Sequence, residues 1–457
     1  MQLEMSFGKR PNGFRKALSN GEFVFLTECQ VPSDENDVKR AGERLMPLAE
    51  KMWSFDDLHG GIALLDSPGT PWSAVEVASV LPENERNRNL FYVSGAGRDR
   101  EALQKELTLA AGVGVENIAA VTGDAPASLV ACRHQEFTES IESVGMLEKS
   151  ECFFPGAVFN PFQYRVESVH AAYGVLEKKL NAGSRYIITQ AGWDMLQLQA
   201  LSWYMLKSKL CYPLIARLML LTPDRVEKIR QGQFPGIRLS KDFNKLLDRE
   251  MRGSRAQFEA AQYRRLEIQV AGCRLLGFSG VQICGASYPG QAKVVAERIR
   301  SAMNEFKSFE QWLDEYNSHQ GGVEIGSALH GYRLYDRVLR RDYPADVQLQ
   351  ASDPGKPAVS AGEKLRYKLK KFLFSQADKH KASRDRLLKK LLVSCRSCDK
   401  CRLPENEYVC VETCPKHMSN GPCGNVRIDG KCEIGDFECR FLKMSRYAYW
   451  RKSEPIK

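Results

Sequence analysis

Eight stretches of strand character alternate with helical ones between residues 21 and 305, and no hairpin signal interrupts the alternation. The strands read as Gly21–Cys29, Gly61–Asp66, Asn89–Val93, Asn117–Val121, Gly156–Asn160, Arg185–Gln190, Pro213–Leu221 and Gly280–Cys284. Helical patterns follow them at 37–52, 73–81, 98–112, 137–147, 164–182, 194–208, from Pro223, and at 291–305. Eight strand–helix units predict a closed parallel (β/α)8 TIM barrel rather than an open sheet. Extra material, Gly236–Cys273, with a long helix around 255–275, stands between the last two strands.

In such a barrel the strands are packed core, and residues at their C-terminal ends carry chemistry. Glu28, Asp66, Asp124, Asn160 and Gln190 each end a predicted strand, so they are expected around one mouth. Asp124 is the leading candidate, because the apolar run Asn117–Val121 delivers a carboxylate between a small residue and a proline. An Asx-turn or helix cap would use the same residue types there.

Charge and cysteine set the rest of the chain apart. Of 457 residues, those from Lys356 onward hold 24 Lys and Arg against 12 Asp and Glu, which accounts for the whole net charge of +10. A basic tail suits nucleic acid, an acidic partner or an internal anionic centre, and nucleic acid is the least expected because eight of the 14 cysteines share the segment. Cys395, Cys398, Cys401, Cys410, Cys414, Cys423, Cys432 and Cys439 fall within 45 residues. With no signal peptide and no apolar run of the ~18 residues a membrane span needs, a soluble, cytoplasmic protein is expected. Metal then outranks disulfides. Two-residue spacings with a later Cys-Pro suit a 4Fe-4S iron–sulfur cluster, and Cys-x2-Cys knuckles suit zinc; both stand open. The domain division expected is a barrel over 1–310, a basic helical connector over 311–393 lying against the barrel, with a Pro- and Gly-rich linker at 345–361, and a cysteine-rich module over 394–457.

From Glu22 to Arg298 the sequence resembles the methylenetetrahydrofolate reductase family. The resemblance is carried by Phe23–Glu28, by Arg98-Asp99-Arg100 leading to Ala119–Asp124, by Gly156–Phe162, and by Leu176–Gly183 running into Ile188-Thr189-Gln190 with Asp194 behind. It implies a flavin-binding barrel that interconverts methylene- and methyltetrahydrofolate. Glu28 would be the general acid, Asp124 would lie between flavin and pterin, Gln190 and Asp194 would bind the folate substrate, and Thr122, Gly123, Asn160 and Lys179 would face FAD. The chain departs from the family at Thr122, at Ser94–Gly97, and at Ala172 and Val175, where polar cofactor contacts are usual. Ser394–Trp450 resembles the cysteine-rich module that accompanies reductases of anaerobic one-carbon pathways, which implies electron transfer to a redox partner protein and a place in an oligomer or complex. A flavin-free folate barrel with structural zinc, serving a methyltransferase or scaffold role, is the alternative. No nicotinamide site is apparent.

Overall fold

A computed structural model describes residues 12–66, 70–126, 128–234, 236–237, 239–319, 357–375, 383–398 and 401–451. Of the expected connector, residues 320–356 lie outside the described residues, and with them most of the 345–361 linker.

Eight parallel strands close in sequence order: β1 Val24–Gln30, β2 Gly61–Leu65, β3 Leu90–Ser94, β4 Asn117–Val121, β5 Phe154–Phe159, β6 Tyr186–Thr189, β7 Leu214–Met219 and β8 Gly280–Cys284. Closure is between β1 and β8, with Leu26 opposite Gln282. Side chains alternate across each strand, so one set fills the barrel and the other packs under the helices. Inside lie Val24, Leu26, Leu90, Ile188 and Ile215 with the rings of Phe154 and Tyr186. Gly156 makes room there, since a Cβ would stand 2.2 Å from the Tyr186 ring. Phe14, on a helix at Gly13–Ser19, plugs the lower end edge-on to Tyr186 at 5.3 Å.

Two expected boundaries shift. The helix Phe309–His319 belongs to the barrel body, because Trp312 is fully buried, donates to the Ile268 carbonyl at 2.7 Å and fills the space over Gly272. The basic helices Ala361–Phe374 and Ser383–Val393 turn their inner side toward the cysteine-rich module instead of the barrel. Tyr367, Phe374 and Val393 share a cluster with Leu403, Tyr408, Met444 and Tyr447. Edge-on contacts of Tyr367 with Tyr408, Tyr447 and Trp450 give that small core its aromatic centre, and such pairs add to the burial term. The described helices 361–374 and 383–393 thus contribute to the module's core.

The helix Val166–Asn181 carries the module on its outer side, where the C-terminal helix Arg440–Arg451 packs along it. Within it His170 is buried, its Nδ1 has no hydrogen-bond partner, and burial pulls its pKa down to about 4. Between pH 6.5 and 4 the unfolded chain binds a proton that the native imidazole refuses, so stability should fall as pH drops through this window. Urea unfolding at pH 7 and 4.5 should show the wild type losing up to about 3 kcal/mol more than His170→Leu; parallel losses would show that His170 is solvated.

Candidate active site

The C-terminal ends of the strands open into a cavity of about 590 Å3 lined by Glu28, Asp66, Thr122, Gly123, Asp124, Asn160, Lys179, Gln190 and Arg217 from the barrel. Pro422–Val426 and Leu442 of the module line it too. Asp194 does not: it caps the helix Met195–Lys207 through the Leu196 amide at 3.0 Å and accepts from Tyr164 at 3.0 Å. The local cap chemistry accounts for it.

Glu28 sits in a fork. Arg217, from the middle of β7, donates Nε to Oε2 at 2.6 Å and Nη2 to Oε1 at 2.7 Å, while its Nη1 donates to Gln190 Oε1 at 2.7 Å. Gln282 on β8 donates to Glu28 Oε2 at 2.8 Å and accepts from the Tyr92 hydroxyl at 2.8 Å. Burial works to raise the Glu28 pKa, but the Arg217 charge and the hydrogen bonds from Arg217, Cys284 and Gln282 together hold it below the usual carboxylate value. Glu28 is thus an ionised acceptor, and the general-acid role expected of it does not suit this environment. Asp124 is the opposite case: it keeps access to solvent, yet the protein crowded around it desolvates the carboxylate enough to push its pKa up, and the Asn425 hydrogen bond and the Lys416 charge only partly offset that. Two carboxylates in one cavity are driven apart, which is how an acid and a base come to coexist at one pH.

Arg217, Gln282 and Tyr92 were not among the sequence candidates. The signal was present as a guanidinium and an amide inside otherwise apolar strands, Leu214–Met219 and Gly280–Cys284. A charge that is buried must be paired, so Arg217 required an inward carboxylate.

The module closes over the other half of the mouth. The Glu139 carboxylate takes the Ser419 amide, the Ser419 hydroxyl at 2.7 Å and the Asn420 amide at 3.1 Å. Lys178 donates to Asn420 O at 2.9 Å and Asn160 to Gly424 O at 3.0 Å. Gly421, at φ +153°, presses on the same helix, for a Cβ there would meet Val175 at 2.1 Å.

The eight clustered cysteines fall into two neighbourhoods. Burial raises the Cys410 thiol to about 11 and the Cys439 thiol to about 12, and neighbouring sulfurs add to it: Cys395 and Cys398 around Cys410, Cys414 and Cys432 around Cys439. Cys401 and Cys395 likewise bear on Cys398, and Cys414 on Cys423. Among the described residues no group of three or more His, Cys, Asp or Glu side chains is arranged to hold a metal ion. The donor chemistry suits a thiophilic metal.

Residues 14–249, a little over half of the chain, match the family described as Methylenetetrahydrofolate reductase. This chain belongs to the methylenetetrahydrofolate reductase family. Residues 374–454 match a second family, Methylene-tetrahydrofolate reductase C terminal, and that span covers the cysteine-rich module. No curated protein matches the chain. Among solved structures, an uncharacterized protein from Clostridium thermocellum that binds two copies of 5-methyl-5,6,7,8-tetrahydrofolic acid aligns at 13% identity over 64% of this chain and 100% of its own, with a TM-score of 0.47. The 7,8-dihydropteroate synthase from Vibrio fischeri aligns at 13% identity over 62% and 94%, with a TM-score of 0.36. No helix among the described residues is long and apolar enough to cross a membrane.

In this reductase-family barrel the flavin-side candidates are already engaged. Thr122 Oγ1 accepts from the Ser140 amide at 3.2 Å, Gly123 O from Lys416 at 2.9 Å, and Asp124 from Asn425 at 2.9 Å. Asn160 holds Gly424 O, and Lys179 donates to Val158 O at 2.6 Å. The module's hydrogen bonds thus take up several of the polar groups expected on the flavin side of the mouth.

Removing one partner of the buried Glu28–Arg217 pair strands the other. Arg217→Met should destabilise the fold by about 3–5 kcal/mol at pH 7, recovering partly toward pH 5 as Glu28 takes up a proton, and Glu28→Gln added to it should restore most of the loss. Denaturant unfolding reads this directly; a single-variant loss under about 1 kcal/mol would mean that water reaches the pair.

Proposed function

We propose that this chain binds a tetrahydrofolate in the barrel mouth and acts there on its one-carbon unit, interconverting 5,10-methylene- and 5-methyltetrahydrofolate. The observation that carries the reading is the convergence of a Glu28–Arg217–Gln190 cluster, its carboxylate held ionised, and a second carboxylate, Asp124, in one cavity. A pterin ring presents adjacent donors and acceptors along one edge; a carboxylate, a guanidinium and an amide linked by hydrogen bonds at the mouth are suited to pair with it.

Reduction of the methylene bridge breaks one C–N bond and takes two electrons and two protons, a hydride equivalent at carbon and a proton at the released nitrogen. Asp124, whose pKa desolvation raises, is the group suited to hold and give that proton. Glu28 then serves recognition. FAD, when bound, would supply the hydride, and an iron–sulfur centre on the module's cysteines would pass electrons to it from a redox partner. The module's seat over the mouth, with Cys423 on the cavity wall, supports the electron-relay role.

A second reading has one observation in its favour: the module occupies the flavin-side hydrogen bonds. It is a flavin-free folate barrel, with zinc in the module, that transfers or delivers the methyl group without redox chemistry.

Two measurements decide. Asp124→Asn should lower kcat by roughly a hundredfold or more while leaving folate affinity nearly unchanged, and Glu28→Gln should mainly weaken affinity; the reverse pattern would return the acid role to Glu28. Metal and flavin analysis of anaerobically purified protein should find flavin with iron and acid-labile sulfide if it is a reductase. Zinc alone in colourless protein would favour the second reading, and no metal at all would refute the cysteine assignment.

A further inference from the structure

We infer that the active site is composite: the C-terminal module supplies Asn425 as a positioning residue for Asp124, so that the barrel's acid is set for its task only while the module is docked. The chemistry in this statement rests on the folate reading above; the placement rests on geometry alone. Asn425 is buried, and its Nδ2 donates to Asp124 Oδ1 at 2.9 Å and to Glu433 Oε1 at 3.2 Å. Glu433 is fixed in turn, since Oε1 also accepts the Ala125 amide at 3.3 Å and Oε2 accepts Lys416 Nζ at 2.8 Å. Lys416 reaches back to Gly123 O at 2.9 Å. The Lys416 and Glu433 side chains are 3% and 9% exposed.

Three consecutive barrel residues, Gly123, Asp124 and Ala125, are therefore each held by a different residue of the module. Buried polar groups must be paired, but a module that merely sat on the barrel could pair its own. Here a buried ion pair that could have been satisfied within the module is aimed outward, at the two backbone groups flanking one carboxylate. The amide between them fixes the rotation of that carboxylate. An electron relay would need proximity, which Cys423 on the cavity wall already provides; it would not need this clamp. Supporting residues that lock a reacting group's orientation are what distinguish a usable acid from a loosely placed one.

A double-mutant cycle on the full chain tests it, with Asp124→Asn, Asn425→Ala and the pair read in folate turnover and in 5-methyltetrahydrofolate affinity by calorimetry. Asn425→Ala should lower kcat roughly ten- to a hundredfold, the order of loss that misplacing a reacting group produces, and change affinity by less than about threefold. In the Asp124→Asn background it should add almost nothing. Asn425→Asp, which keeps the shape and loses the donor, should fare no better than Ala. Additive losses, or an active Asn425→Asp, would overturn the inference. Should the wild type neither bind nor turn over folate, the functional reading fails, yet the clamp is still read by hydrogen exchange. The Ala125 amide should be protected in the wild type and released in Glu433→Ala, while the β4 amides stay protected in both. Equal exchange of Ala125 in the two proteins would refute the composite site whatever the chemistry.

Discussion

Closure of eight parallel strands is the constraint from which the rest follows. Because every strand runs the same way, every strand end of one polarity meets at one mouth, and residues far apart in sequence are brought within hydrogen-bond reach. Glu28 on β1, Arg217 on β7 and Gln282 on β8 are neighbours only because β1 pairs with β8 and β8 with β7. Below them the barrel is filled to its floor by Phe14, Tyr186 and Phe154. The mouth is the end left for chemistry.

Within that mouth, electrostatics sorts the acids. A carboxylate taken out of water must find a cation or take up a proton. Glu28 has found Arg217, and the fork geometry of the guanidinium fixes its plane as well as its charge. Asp124 has an amide and, farther off, an ammonium already paired to Glu433, which leaves desolvation as the larger effect. One carboxylate is thus suited to recognition and the other to proton transfer.

The module's attachment follows the same logic at a larger scale. Its own core is small, built on Tyr367, Tyr408 and Tyr447, and small cores are marginal without a further staple. Docking on the barrel adds polar pairing at Glu139, Asn160 and Gly123 and tight contact at Gly421 with Val175. Burial raises the thiols of Cys398, Cys410, Cys414, Cys423, Cys432 and Cys439, which disfavours their thiolates unless a cation holds them. A metal bound there would therefore act on the module's fold and on the barrel mouth together.

Strand order, the barrel and the strand-end positions of Glu28, Asp124, Asn160 and Gln190 were legible in the sequence, because periodicity and strand-end polarity are local signals. β4 and β8 fall where the pattern puts them. The local signal misleads at Asp194, where a strand-proximal acid turns out to be a helix cap, and for the connector, whose buried Tyr367, Phe374 and Val393 join the module's core. Which carboxylate keeps a proton was beyond the sequence, since that depends on Arg217 arriving from β7, 189 residues away. The clamp of Lys416, Asn425 and Glu433 on residues 123–125 was equally hidden. Its partners lie about three hundred residues apart, and among closely spaced cysteines three ordinary polar residues carry no periodicity to mark them. Local pattern decides which element a residue joins; charge pairing across the closed barrel and its docked module decides what that residue can do.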